Sequence, residues 1–296
     1  SMVGAQPPRE EGDSSDEDVG CGGLFGDESD DYDCTRTIEL CGHTIKVQEV
    51  PAGVDVPRNA RRVWPGNQAV AEWLQTNVEA LRAANGVLEI GAATGCLSIF
   101  MRKHLGLERL ATSDGCPEPG DDDHVKAMIA TNFVQMAGFD EPPPHFSVDW
   151  GDLDGTPEAM LKSYNYVIAN DILIYVPAYP SLVKTLLAIM AQPQEDGGGA
   201  GLQAGEGGGG AMQPAPVAQT PSKVFVIGNH RESTMIKTQP DGFLAPFLIG
   251  GPGQHYGEGT NTPESLNFWG QMAEAGFICR DEGNGVCTFV LPPAPK

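Results

Sequence analysis

No run of about 18 apolar residues occurs in the 296-residue sequence, so no helix is expected to cross a membrane. Basic residues are scarce. Lys and Arg total 18 against 40 Asp and Glu, and a formal net charge of −22 excludes a body that grips a nucleic-acid backbone by counterion release. The seven cysteines contain no C-x-x-C pair, which leaves neither a disulfide framework nor a structural zinc site indicated. The six histidines form no H-x-x-x-H or H-E-x-x-H pattern, so metal hydrolysis has no support and no metal ligands are assigned. A cationic, apolar leader is also missing from the first residues, and the expectation is a cytoplasmic or nuclear protein.

What the chain does have is glycine, 38 of them, and 24 prolines, so much of it must lie outside helices and strands. Eleven Asp and Glu face only Arg9 before the first β-like pattern, and residues 1–35 read as a disordered acidic tail. Residues 36–296 are left as one α/β domain. Within it, 192–222 is a Gly-, Ala-, Pro- and Gln-rich stretch that cannot bury enough surface to offset its chain entropy, and it reads as a flexible insertion. Residues 238–262 read as a long loop carrying Phe243, Phe247, Leu248 and Tyr256.

Elsewhere strand and helix patterns alternate. IELCGHTIKV alternates around a Cys-Gly-His break as a hairpin does, with Ile38, Leu40, Ile45 and Val47 as inward positions. Val70, Trp73, Leu74, Val78 and Leu81 recur at helical spacing from about Asn67. Strands are expected at VLEI, at 108–114, 145–150 and 164–176, at KVFVIGNH, and in a C-terminal hairpin turning at Asn284-Gly285; helices fall between them. The fold class is therefore a doubly wound, mostly parallel, seven-stranded Rossmann-like sheet with helices on both faces and an N-terminal β-hairpin.

Chemistry-bearing residues gather at the carboxyl ends of the expected strands, where open α/β sheets bind ligands. EIGAATG carries Glu89, Gly91 and Gly95, a turn that lets a ligand approach the backbone beside a carboxylate able to position an amino group. A dinucleotide fingerprint would also need glycine at Ala93 and Cys96, and it fails at both. The surviving E-x-G-x-x-x-G spacing suits S-adenosylmethionine, which brings no pyrophosphate to the helix N-terminus. Asp114 follows the second strand at an offset where an acid meets ribose hydroxyls. Asp149 and Trp150 end the third strand, where a carboxylate and an indole can meet adenine, and Asn170 and Asp171 end the apolar fourth.

Taken in order, VWPGNQAVAEWL, VLEIGAATG, ATSDG, VDWGD and ANDILIYVPAYPSLVKTL resemble the motifs of the seven-strand, class I S-adenosylmethionine-dependent methyltransferases. Within them they resemble methyltransferase family 16, mostly protein-lysine methyltransferases. That resemblance implies a cofactor site of Trp64, Glu89, Gly91, Ala93, Gly95, Asp114, Asp149, Trp150 and Asn170, with Asp171 facing the acceptor and Tyr175 assisting. Two departures stand out: Ala93 where a third glycine is usual, and Ile174 at the family's tyrosine position, with Tyr175 one residue later. The implied reaction is methyl transfer to a protein side chain, a lysine amine first, by a monomer acting on a basic or lysine-bearing protein. A small-molecule methyltransferase and a non-catalytic cofactor-binding module are the alternatives.

Overall fold

The computed structural model describes residues 34–49, 60–115, 123–173, 176–191, 223–228 and 268–292. The acidic tail up to residue 33, the 192–222 insertion, the 238–262 loop, Ile174 and Tyr175 lie outside the described residues.

Short strands buried on both faces read as unbroken apolar runs, and the sheet is built from such runs. β3 (Val87–Ile90) lies at its centre with all four residues buried. β4 (Leu110–Asp114) and β5 (His145–Ser147) follow on one side, and β6 (Tyr166–Asn170) and β7 (Val224–Gly228) on the other, all parallel. A C-terminal hairpin, β8 (Ile278–Gly283) and β9 (Val286–Val290), closes the β7 edge antiparallel, giving the order β5-β4-β3-β6-β7-β9-β8. Asn284 and Gly285 both adopt positive φ, as a tight hairpin turn requires.

Two apolar clusters cover the two faces. One gathers α1 (Asn67–Thr76), α2 (Val78–Ala83), α3 (Cys96–Lys103) and α4 (His124–Thr131); the other gathers α5 (Glu158–Lys162), α6 (Tyr179–Met190) and α7 (Phe268–Glu274). A separate two-stranded sheet, β1 (Thr35–Leu40) and β2 (His43–Gln48), packs on the first cluster through Leu40, Ile45 and Val47. Its turn, Cys41-Gly42, again has two positive φ angles.

Several expected boundaries shift. The single helix expected after Asn67 is two, because Asn77 donates its side-chain amide to the Trp73 carbonyl at 2.8 Å and competes with helix continuation. The helix after Asp123 widens into a π turn at 132–136 that keeps Asn132 and Phe133 buried. Expected strands 145–150 and 164–176 stop at Ser147 and Asn170; the second ends because Asp171 turns to φ +49°. The five-residue α5 carries no periodicity long enough to read. Lys223, only 5% exposed, donates to the carbonyls of Leu161 at 2.9 Å and Ile189 at 2.5 Å, tying the start of β7 to the ends of α5 and α6.

Candidate functional site

The strand order reverses direction of growth at β3, and β3 and β6 are direct neighbours with Ile90 opposite Ala169. The residues that follow, Gly91 and Asn170, are therefore carried to the same carboxyl edge, at the topological switch point. A cleft of about 240 Å³ opens there, lined by Trp64, Glu89, Gly91, Ala93 and Asn170 among others. Five of the residues expected from sequence thus meet in one place.

The turn after β3 is shaped by backbone. Gly91 has φ +66°, and a Cβ there would lie 2.5 Å from Ile172 Cγ2, so no side chain fits between the turn and the start of the post-β6 loop. Ala93 sits at φ +48°, a conformation that glycine adopts without strain and alanine does not. Its N–H donates to Asp114 Oδ2 at 2.8 Å, which holds the turn against β4. Gly95, at φ +74°, opens α3. Ala93→Gly is accordingly expected to stabilise the fold by about 0.5–1 kcal/mol, the relief of left-handed strain being partly offset by added unfolded-chain entropy. Thermal melting checks this; a lower melting temperature for the glycine variant would contradict it.

Two carboxylates flank that turn, Glu89 and Asp114, and a third, Asp149, lies near the end of β4. Glu89 is 3% exposed and accepts a short hydrogen bond from the Ser98 hydroxyl. Burial, with a contribution from the negative charge of Asp114, pushes its carboxyl up to about 8, against the smaller lowering effect of Ser98. Burial also raises Asp114, whose two oxygens accept from the N–H groups of Ala93 and Gly115, both at 2.8 Å. Asp149 comes close on the far side, since a Cβ on Gly115 would lie 3.8 Å from its Oδ1. Trp150 is half-buried against the cluster that includes α6 and lies outside the lining of the cleft. The turn it belongs to is fixed by Gly151, whose N–H donates to Thr185 Oγ1 at 2.8 Å and whose carbonyl accepts from Lys184 Nζ at 2.7 Å.

Opposite the glycine turn, residues 62–67 form the other wall. The Arg62 guanidinium lies 5.0 Å over the Trp64 ring, and Glu49 at the end of β2 accepts from the Val63 N–H at 2.8 Å. Gly66 is tied to the post-β6 segment: its N–H donates to Asp171 Oδ2 at 2.7 Å, while the Asp171 N–H donates to the Gly228 carbonyl at 2.9 Å. A Cβ on Gly66 would lie 2.2 Å from Asn170 Oδ1 and 2.7 Å from Asp171 Oδ2, so this wall approaches β6 only as glycine. Asn170 is 6% exposed. Its Nδ2 donates to Asn67 Oδ1 at 2.7 Å, but its Oδ1 has no hydrogen-bond partner among the described residues. A buried acceptor without a donor costs about 1–3 kcal/mol.

Sequence reasoning missed four contributors. Asn67 shares the buried face of α1 with Val70, Ala71 and Leu74, a polar residue on an apolar stripe that could have marked it. Cys96 lines the cleft, but burial and the Glu89 charge push its thiol up to about 12, so it is no nucleophile. Ser98 is found only through its contact with Glu89. Asn132 donates to the Thr94 carbonyl at 2.9 Å and pairs with the Gln48 backbone, accepting at 2.7 Å and donating at 3.1 Å, which couples the N-terminal hairpin to the glycine turn.

Residues 53–195 match the profile of a family described as lysine methyltransferase. Among solved structures, the methyltransferase domain of bacterial CtHen1 is 11% identical over 76% of this chain and 97% of its own, with a TM-score of 0.40. The CurJ carbon methyltransferase is 15% identical over 77% of this chain and 54% of its own, at 0.43. TrmK of M. capricolum, in complex with S-adenosylhomocysteine, is 8% identical over 74% and 66%, at 0.32. This chain thus spans little more than half of the CurJ chain. No curated protein matches it. In its family match, strand order and glycine turn the chain is similar to the class I, S-adenosylmethionine-dependent methyltransferases. Over its matched segment, the chain is similar to the lysine methyltransferases of methyltransferase family 16.

Proposed function

We propose that this chain moves the methyl group of S-adenosylmethionine to a nitrogen of a protein side chain, a lysine amine first. The observation that supports the reading is the match of residues 53–195 to a family described as lysine methyltransferase.

The residues present fit the methionine end of that cofactor. Glu89 would hold its ammonium and Arg62 its carboxylate, while Asp114 would take the ribose hydroxyls and Asp149 the adenine amine. Bound there, the cofactor supplies an already activated sulfonium methyl. The chain's part is then to hold a neutral amine in line and to exclude water. A lysine amine, near 10.4 in water, has to lose a proton before attack, and Asp171 would orient the incoming ammonium while water takes that proton. The acid-rich sequence favours a basic or lysine-bearing protein through electrostatic steering.

S-adenosylhomocysteine is expected to raise the melting temperature and NAD to leave it unchanged. A ligand at a hundredfold its dissociation constant stabilises the folded state by about 2.7 kcal/mol. An unchanged melting curve in saturating S-adenosylhomocysteine rejects the reading. With radiolabelled cofactor and a cell lysate, label in a protein band supports the protein acceptor, and label confined to the small-molecule fraction supports a small-molecule one.

A further inference from the structure

Two adjacent residues at the end of β2, Gln48 and Glu49, hold opposite walls of the cleft, a role the proposed chemistry leaves unused. The Gln48 N–H donates to Asn132 Oδ1 at 2.7 Å, and Asn132 Nδ2 donates to the Thr94 carbonyl at 2.9 Å, inside the glycine turn. Glu49 serves the other wall. Its Oε1 accepts the Val63 N–H at 2.8 Å and the Arg36 guanidinium at 3.1 Å, while its own N–H donates to the Cys34 carbonyl at 2.9 Å. Val63 is 8% exposed and stands between Arg62 and Trp64, two of the side chains that line the cleft. Both charges of the Arg36–Glu49 pair are felt at the Cys96 thiol in that lining, Glu49 raising it and Arg36 lowering it behind the larger effect of burial. The hairpin that carries Glu49 is docked independently of it, through Leu40, Ile45, Val47 and the Asn132 bonds.

We infer that Glu49 is a positioning residue for the amino-acid end of the cofactor, fixing through the Val63 N–H the pair Arg62 and Trp64 against the glycine turn. The inference rests on the methyltransferase reading and adds to it a residue outside the cleft. With the Glu49–Val63 bond made, the backbone between the two lining side chains is set before a ligand arrives, and the Arg62 guanidinium is already stacked 5.0 Å over the Trp64 ring. Without it, the N–H of a buried residue is left unpaired and the wall loosens. The ligand then has to order both side chains as it binds, at a cost of about tenfold in affinity. Asp114, assigned to the ribose, takes its hydrogen bonds from the Ala93 and Gly115 N–H groups, neither of which belongs to the hairpin or to the 62–67 wall. The loss is therefore confined to ligands that carry the amino-acid end.

A probe that lacks only that end is 5′-methylthioadenosine, the adenosyl thioether without the amino and carboxylate groups. The full chain and its Glu49→Ala, Glu49→Asp and Glu49→Gln variants are titrated with S-adenosylhomocysteine and, by displacement of the labelled ligand, with methylthioadenosine. Glu49→Ala is expected to weaken S-adenosylhomocysteine about tenfold and to leave methylthioadenosine within about threefold of the unsubstituted chain. Glu49→Asp keeps the charge but falls one methylene short of the Val63 N–H, and it should follow alanine. Glu49→Gln gives up the charge but keeps an oxygen in reach, so it should hold S-adenosylhomocysteine within about threefold of the unsubstituted chain. The contrast between Asp and Gln decides the matter even if the alanine variant does not fold. Equal weakening of both ligands, or of neither, by Glu49→Asp overturns the inference, and so does a glutamine variant as weak as the aspartate one. Failure of the unsubstituted chain to bind S-adenosylhomocysteine sinks instead the methyltransferase reading beneath it.

Discussion

Between pH 6 and pH 8, the affinity for S-adenosylhomocysteine is expected to rise by up to about fiftyfold, close to tenfold from pH 6 to 7 and less steeply above, because of one buried acid. Glu89 is held near 8 by burial, so in this range the ligand-free protein carries it mostly protonated. An ammonium placed beside it favours the ionised form, and binding then expels a proton. The linkage has a definite sign for the free protein as well. The unfolded Glu89 releases its proton near 4.3 and the folded one near 8, so the folded state holds the extra proton between these values. Stability of the ligand-free fold therefore falls as pH rises through that window, by up to about 5 kcal/mol, and ligand binding recovers part of the loss.

Asp114, raised by burial, adds to the same trend from the ribose side. Calorimetry at pH 6.5 in buffers of different ionisation enthalpy should register release of up to about one proton per ligand bound. Glu89→Gln keeps an acceptor for the Ser98 hydroxyl and removes the titration. Its binding should be weak and less dependent on pH, with only the Asp114 contribution left. A pH-independent affinity in the unsubstituted chain would mean that Glu89 does not meet the ammonium.

The fold was legible where one signal determined the answer. The apolar run of β3, the alternation in β1 and β2, and the Asn284-Gly285 turn each admit a single backbone solution, and all three stand where the pattern puts them. Boundaries were less legible because they depend on tertiary partners. Asn77 ends a helix through a bond its spacing does not announce, and β6 stops at Asn170 only because Asp171 takes a left-handed turn toward Gly66. The site divides similarly. Trp64, Glu89, Gly91, Ala93 and Asn170 come from motifs fixed to strand ends and helix starts, and the fold collects them. Asn67, Ser98 and Asn132 support them from behind, through contacts spanning 103, 9 and 38 residues. Those partners are chosen by topology, and local spacing carries no trace of it.

Asp171→Ala and Asp171→Asn should part company, because this carboxylate has one job in the structure and a second in the proposed reaction. One is mechanical: Oδ2 accepts the Gly66 N–H and holds the Trp64 wall against β6, in a left-handed conformation that Asp and Asn tolerate and Ala does not. Alanine leaves that N–H buried and unpaired and adds backbone strain, for a loss of about 2–4 kcal/mol and a weakened hold on S-adenosylhomocysteine. Asparagine keeps an oxygen for Gly66 and accepts the same φ, so it should melt within a few degrees of the unsubstituted chain and bind S-adenosylhomocysteine nearly as well. The second job is electrostatic, a negative charge that orients the incoming ammonium, and asparagine abolishes it. Transfer by Asp171→Asn is therefore expected to fall by about a hundredfold, the scale of losing the positioning of a reactant. Melting curves, calorimetry and single-turnover transfer on both variants separate the two jobs. Full transfer by the asparagine variant would leave Asp171 as a strut for Gly66.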